Sequence, residues 1–322
     1  MVVRPLRSTA STTKLTLHLE RFQHFLLTSY GHDRLSRCGQ RDVIAWQQSL
    51  KAAGLAATTI NNHLASLSTF TTWVHAGYPQ IFPLGDPAKG IRALALPPLE
   101  PRTLDADQVR SLKNLCDRLP IYHQRHDGQP YATARPLRDR AIIFVLLSTG
   151  LRREELVNLD LDQVEPPDPT LLRLARKARL VRVKGKGQTE RSVFLSADAR
   201  HALAAYLTTE RPRDAQAPTR ALFLSAVELA ARGIDGRLSP RAINLILEQI
   251  GRWHDADVMN PQRRIMPLRP HDLRHTFAFQ LAQTTGADAY ELERRLGHRS
   301  QRYIQRYTNP PDAIAAGYVE TF

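Results

Sequence analysis

From Leu94 to Arg102 the chain reads Leu-Ala-Leu-Pro-Pro-Leu-Glu-Pro-Arg, and no helix can run through it. Each proline lacks an N–H, locks φ and biases the residue before it away from helix. The stretch therefore divides the molecule, and 92–102 reads as a semi-rigid linker. With 322 residues in all, each side is long enough for its own core.

The two sides differ in pattern. Residues 1–12 are rich in Ser and Thr and read as disordered. Over 13–91 the apolar positions keep helical spacing in three runs: Lys14–Ser29, Asp42–Ala53 and Ala57–Ala76. The third run places Ile60, Leu64, Leu67, Phe70 and Trp73 on one face, with Gly77 as its stop. No strand signal interrupts them, so 13–91 is expected to be a small all-helical domain. Beyond the linker, Asp105 or Thr103 is a candidate helix cap, and Arg138–Leu147 reads as a buried helix ending just before Ser148-Thr149-Gly150. Between Leu172 and Leu195 the period changes. Leu180, Val181 and Val183, then Val193 and Leu195, flank Gly185-Lys-Gly187, which predicts a β-hairpin. Helices resume at 197–208, 240–254, 271–285 and 287–295. The expected fold class is mainly α, in two domains, the second (103–322) mixed α/β, mostly helical with a small β-hairpin.

Formal charge is +14, which points to a polyanionic partner. Of the basic side chains 38 are arginine and seven lysine. That bias suits bidentate phosphate binding, and a GC-rich genome would produce it too. Cys38 and Cys116 are too few for a disulfide framework, so a reducing cytoplasm is expected. The N-terminus lacks the apolar segment of a secretory signal, and no run of apolar residues is long enough to span a bilayer. No membrane partner is expected.

The chemistry concentrates in two places. One is Thr149-Gly-Leu-Arg152-Arg-Glu-Glu155-Leu, which puts Arg152 in the first turn of a helix with Glu155 placed to orient it or to cap. A surface helix with two solvated arginines has the same spacing. Arg153 lies on another face. The second is His271-Asp-Leu-Arg274-His275, followed by Leu296-Gly-His298 and, nine residues later, Tyr307. His271, Arg274 and His275 share one helical face. Two histidines four apart also suit zinc, but Asp272 stands where the metallohydrolase motif needs glutamate, and no third ligand is evident. Arginines that neutralise phosphate oxygens, imidazoles that move protons and a phenol that attacks are sufficient to cleave a phosphodiester without metal. Tyr303 and Tyr307 both remain candidates for that phenol on residue type alone.

In order and spacing these elements resemble the tyrosine recombinase (phage integrase) family, with motif-level similarity from 149 to 308 and pattern-level similarity before it. The resemblance implies two domains that close around duplex DNA as a clamp, 13–91 being the core-binding domain. It selects Tyr307, followed by Thr308, as the nucleophile that forms a 3′-phosphotyrosyl link and releases a 5′-hydroxyl. Arg152 and Arg274 then balance phosphate charge, His271 is the base or its orienter, and His298 donates to the phosphate. Lys186, with Lys184 second, protonates the leaving oxygen. His275 supports by packing or hydrogen bonding. No cofactor or metal is implied. Double-stranded DNA core sites are the expected partner, with a homotetramer on paired sites and a monomer or weak oligomer off DNA. The C-terminal tail 312–322, with Ile314, Tyr318, Val319 and Phe322 on one face, is expected to dock into a neighbouring protomer or onto its own domain. Segments 122–136 and 166–176 depart from the family pattern as insertions. There is no room before Lys14 for an arm-binding domain, which favours a Xer-like or transposon-type recombinase. Type IB topoisomerase chemistry, a degenerate DNA-binding protein and a metal-dependent hydrolase are the alternatives.

Overall fold

The computed structural model describes residues 9–96, 101–125, 133–185, 189–216, 218–230, 232–286 and 288–297. The chain separates into two compact units, Met1–Leu99 and Glu100–Phe322, and the division falls within the proline-rich stretch.

Among its described residues the first unit has helices and no strand, with α1 (Thr9–Tyr30), α2 (Gln40–Ala52) and α3 (Ala57–Gly77). Phe22 and Leu26, Val43, Trp46 and Leu50, and Ile60, Leu64 and Leu67 form its core. The first helix starts at Thr9, inside the stretch expected to be disordered. Leu17 faces solvent, and the inward position is taken by His18, stacked on His63 at 3.9 Å with Nδ1 2.8 Å from Ser66 Oγ. On α3 the buried stripe is Ile60, Leu64, Leu67, Thr71 and Val74, whereas Trp73 is 62% exposed. The stripe agrees with expectation through Leu67 and then runs one residue later, through Thr71 and Val74, which the apolar pattern missed because Thr71 is polar. Its hydroxyl is satisfied by the Ser68 carbonyl at 3.3 Å, which allows it inside.

The second unit is built around α6 (Pro136–Thr149), in which Ala141 to Leu147 are all buried. A helix apolar on every side must be surrounded. Here α4 (Ala106–Asp117), α5 (Leu119–Arg125), α9 (Ala197–Thr209) and α12 (Pro270–Thr284) pack around it, together with strand β3 (Glu190–Leu195). Asp105 caps α4: its carboxylate accepts from Gln108 N at 2.8 Å, and Gln108 Oε1 accepts from Asp105 N at 3.1 Å.

Strands β2 (Ala178–Lys184) and β3 form the hairpin, and β1 (Val164–Glu165) adds an edge that the sequence pattern did not reveal. All pairings are antiparallel, with Val164 opposite Leu180 and Lys184 opposite Glu190. A register shift between Leu180 and Val183 leaves Arg182 at φ 49, and Gln163 Nε2 donates to the Val181 and Arg182 carbonyls across it. Segment 166–176 contains a short helix, α8 (Pro169–Leu174), capped by Asp168, which packs on α9 through buried Leu172. Helices α7 (Arg153–Val157), α10 (Arg211–Asp214), α11 (Pro240–Asp257) and α13 (Ala289–Leu296) complete the unit. Among the described residues no helix is long and apolar enough to cross a membrane.

Candidate active site

Arg152 sits one position ahead of its expected place. It is the cap residue before α7, in extended conformation (φ −71, ψ 151), not part of the first turn. Two residues earlier Gly150 ends α6 at φ 59, and that turn carries Leu151 into the core and Arg152 to the surface. Glu155 performs both expected tasks. Its Oε2 accepts from the Arg152 backbone N–H at 2.9 Å and its Oε1 from Arg152 Nη1 at 2.7 Å. The Glu155 side chain is buried and that of Arg152 is 28% exposed, so the guanidinium is anchored at one edge and open at another.

Glu155 has a second partner that the sequence reading missed. Arg191, on β3, donates Nη2 to Oε2 at 2.7 Å and Nη1 to Oε1 at 3.1 Å. Burial alone would raise the Glu155 carboxyl, but the bonds and charge of Arg191, then the backbone and side-chain hydrogen bonds of Arg152, hold it below the usual carboxylate range. The signal for Arg191 lay in the strand's alternation. Val193 and Leu195 point inward, so Arg191 belongs to the inward set despite its charge.

The other half of the site is α12. His271 is its second residue, and the rings of His271 and His275 lie 6.2 Å apart. Arg269, just ahead, is fixed by its N–H to Asp272 Oδ2 at 2.9 Å. Burial pulls the His271 imidazole below its ordinary pKa, and the charges of Arg274, Arg152 and Arg153 add to this while Asp272 opposes it. Burial conversely raises the Asp272 carboxyl. His271 and Arg152 line the same open cleft of about 660 Å³, with Arg153, Arg269 and Met266 through Leu268 from the adjoining segments and Asn244 and Glu248 from α11.

Arg274 is 3% exposed. Its Nη1 donates to the Gly150 carbonyl and its Nη2 to the Leu296 carbonyl at 2.7 Å. One guanidinium thus joins the ends of α6 and α13, where helix dipoles favour a cation. The α12–α13 pair is closed by Ala278, Ala282, Leu292 and Leu296. Gly297 then turns the chain at φ 63. Lys184 ends β2 and is exposed. Lys186, His298, Tyr303, Tyr307 and the tail 312–322 lie outside the described residues. Among the described residues no group of three or more His, Cys, Asp or Glu side chains is placed to hold a metal.

The structure therefore brings Arg152, His271 and Arg274 into one basic neighbourhood from segments more than a hundred residues apart. Known proteins place that neighbourhood in context. Residues 102–313 match the phage integrase family, and residues 6–76 match the phage integrase N-terminal SAM-like domain. The tyrosine recombinase XerC of Mycobacterium sp. (strain KMS) is 33% identical over 267 residues, 82% of this chain and 76% of the relative. That of Myxococcus xanthus is 35% identical over 227 residues, 69% of this chain and 62% of the relative. In fold the chain is similar to the XerH site-specific recombinase bound to palindromic difH substrate, at TM-score 0.70 and 18% identity over 93% of this chain and 76% of that one. It is also similar to the Tn1549 transposon integrase in complex with circular intermediate DNA, at TM-score 0.67 and 17% identity over 98% and 95%.

Proposed function

This chain belongs to the phage integrase family and is a tyrosine-type site-specific DNA recombinase, and from that premise we propose that Tyr307 is its nucleophile and that Arg152, Arg274, His271, His298 and Lys186 surround the scissile phosphate. The enzyme cuts and rejoins DNA through a phosphotyrosyl link. Tyr307 Oη attacks phosphorus, the bond to the 5′-oxygen breaks, and Lys186 gives that oxygen a proton. The phenol proton passes to His271 or to a group that it orients, because a phenol with a pKa of about 10 does not ionise unaided. Arg152, fixed on Glu155 and open to the cleft, grips a non-bridging oxygen. Arg274 supplies a second, buried charge beside His271. The phosphate-bond energy is kept in the covalent link, and rejoining needs no nucleotide.

The observation that carries this reading is the shared cleft of Arg152 and His271, with Arg274 close enough to depress the imidazole. We place the working form as a homotetramer on paired core sites, a monomer or weak oligomer off DNA, in the cytoplasm and on the nucleoid. The test is a nicked duplex carrying a site selected by binding to the purified protein. The wild type should be trapped as a covalent 3′ adduct, Tyr307→Phe should bind DNA without forming one, and Tyr303→Phe should form it normally. An adduct that survives in Tyr307→Phe and vanishes in Tyr303→Phe moves the nucleophile. Relaxation of supercoils by a monomer, with no paired-site complex, would make the protein a topoisomerase instead.

A further inference from the structure

We propose that Arg191 is a positioning residue: its buried guanidinium sets, through Glu155, where the Arg152 fork points, and ties that setting to the end of the helix that leads into His298. The proposal rests on the reading above in one respect, that Arg152 works at the phosphate.

Three contacts carry it. Nη1 and Nη2 hold both oxygens of Glu155, at 3.1 and 2.7 Å. Nε donates to the Arg295 carbonyl at 2.9 Å, in the last turn of α13. Gly297 lies directly against the guanidinium: a β-carbon there would stand 3.2 Å from Nη1 and 3.4 Å from Cδ and Cζ. The Arg191 side chain is 9% exposed and that of Glu155 is 4% exposed. Arginine does not shed its charge in proteins, so this buried cation requires its carboxylate, and the carboxylate is not free to turn.

Arg152 Nη1 shares Glu155 Oε1 with Arg191 Nη1. While Arg191 occupies both oxygens, the Arg152 guanidinium engages the carboxylate through one nitrogen, Nη1, and the Arg152 backbone N–H holds Oε2. Without Arg191, Glu155 can pair face to face with Arg152 and draw it back from the cleft, or take up a proton at higher pH. Lysine cannot replace the fork, because a single ammonium does not span Glu155 and the Arg295 carbonyl in fixed geometry. The same strand and helix make a separate contact, Arg295 stacked over Phe194 at 4.7 Å, which does not touch Glu155 and serves as a control.

The experiment uses the full-length protein with the nicked duplex, measuring DNA affinity, melting temperature and the single-turnover rate of adduct formation against pH. Arg191→Met and Arg191→Lys should bind DNA within about twofold of wild type and form adduct about ten- to a hundredfold more slowly, the range expected for a misplaced charged contact. Their acid limb should move to higher pH as Glu155 loses its strongest partner. Millimolar guanidinium should restore part of the rate in Arg191→Ala, whereas Phe194→Leu should show neither the pH shift nor the rescue. Should Arg191→Met melt below the assay temperature, Arg191→Lys, which keeps the charge and loses the fork, decides the matter. Wild-type rates in the Arg191 variants, or slowing without a pH shift and matched by Phe194→Leu, would overturn the proposal. A wild-type protein that forms no Tyr307 adduct would overturn the parent reading instead.

Discussion

Gly150 and Phe277 meet where no β-carbon fits: one placed on Gly150 would stand 2.3 Å from Phe277 Cδ1. The glycine is also in the left-handed region, at φ 59, and its carbonyl accepts from Arg274 Nη1. The end of α6 is thereby pressed onto α12, and the next two residues lead to Arg152. A single glycine sets the separation of the two arginine segments.

Gly150→Ala is therefore expected to damage both stability and chemistry. Left-handed backbone costs an alanine about 1–2 kcal/mol, and forced overlap in a packed site adds about 1–3 kcal/mol. Thermal melts should show a fall of several degrees, with adduct formation falling further than the loss of folded protein explains. Adding Phe277→Ala should recover the overlap component and leave the backbone component. A Gly150→Ala protein with wild-type melting temperature and adduct rate would show that the close approach is not needed.

The leaving group gives a prediction independent of binding. Lys186→Ala should cleave ordinary DNA slowly and recover when the 5′-bridging oxygen is replaced by sulfur, because a thiolate departs without protonation. Arg152→Ala should stay slow on both substrates. Rescue of Lys184→Ala instead would move the role two residues along the sequence.

Much of this architecture could be read directly from the residues, and its failures have physical causes. Asp105 as a cap and Gly150 as a helix end are local features, decided by backbone hydrogen bonding within a few residues. On β3 the inward set follows from a period of two, whereas on β2 the register shift between Leu180 and Val183 breaks that period, and the structure buries Leu180, Val183, Val193 and Leu195 together. Thr71 and Arg191 escaped because an apolar pattern scores them as surface, whereas Thr71 is buried, the Arg191 side chain is mostly covered, and both are hydrogen-bonded there. Strand β1, of two residues, is too short to show periodicity and exists only through its pairing with β2. Arg152 occupies the cap position that Ser, Thr or Asp usually marks, and Glu155, three residues on, accepts its backbone N–H there.

Segment 122–136 ends in an anchor whose removal should be costly. Arg135 donates Nε and Nη2 to Asp214 at 2.7 Å each, and Nη2 reaches Glu228 at 2.9 Å, with the Asp214 side chain fully buried. Breaking such a pair from one side leaves a charge underground and costs about 3–5 kcal/mol, less here by whatever Glu228 retains. Asp214→Asn should lower the melting temperature markedly, and Arg135→Met in the same chain should return part of the loss. Additive losses in the double variant would show that the two residues act separately.

Assembly is tested by the tail. Truncation after Pro311 should leave single-site binding intact and abolish cooperative binding and paired-site complexes, if 312–322 docks into a neighbouring protomer. Tetrameric complexes at full-length affinity from the truncated protein would exclude docking in trans.

The imidazole of His271 supplies the pH dependence. Burial and the charges of Arg274 and Arg152 hold its pKa below the ordinary 6.5, against the pull of Asp272. The unfolded chain therefore binds a proton at this residue at higher pH than the folded protein does. Its neutral form contributes stability that is complete above pH 6.5 and is lost as pH falls through the folded value. If neutral His271 receives or orients the phenol proton, adduct formation should decline on the same side, only as pH drops below 6.5 toward that lower value. The direction has a second check. Arg152→Gln removes one of the charges that depress the imidazole, so the His271 titration, followed by NMR in the DNA-free protein, should move upward. A wild-type His271 that titrates at or above 6.5, or one that is indifferent to Arg152→Gln, would mean that the arginines do not act on this imidazole through space and that the shared cleft is not an electrostatic unit.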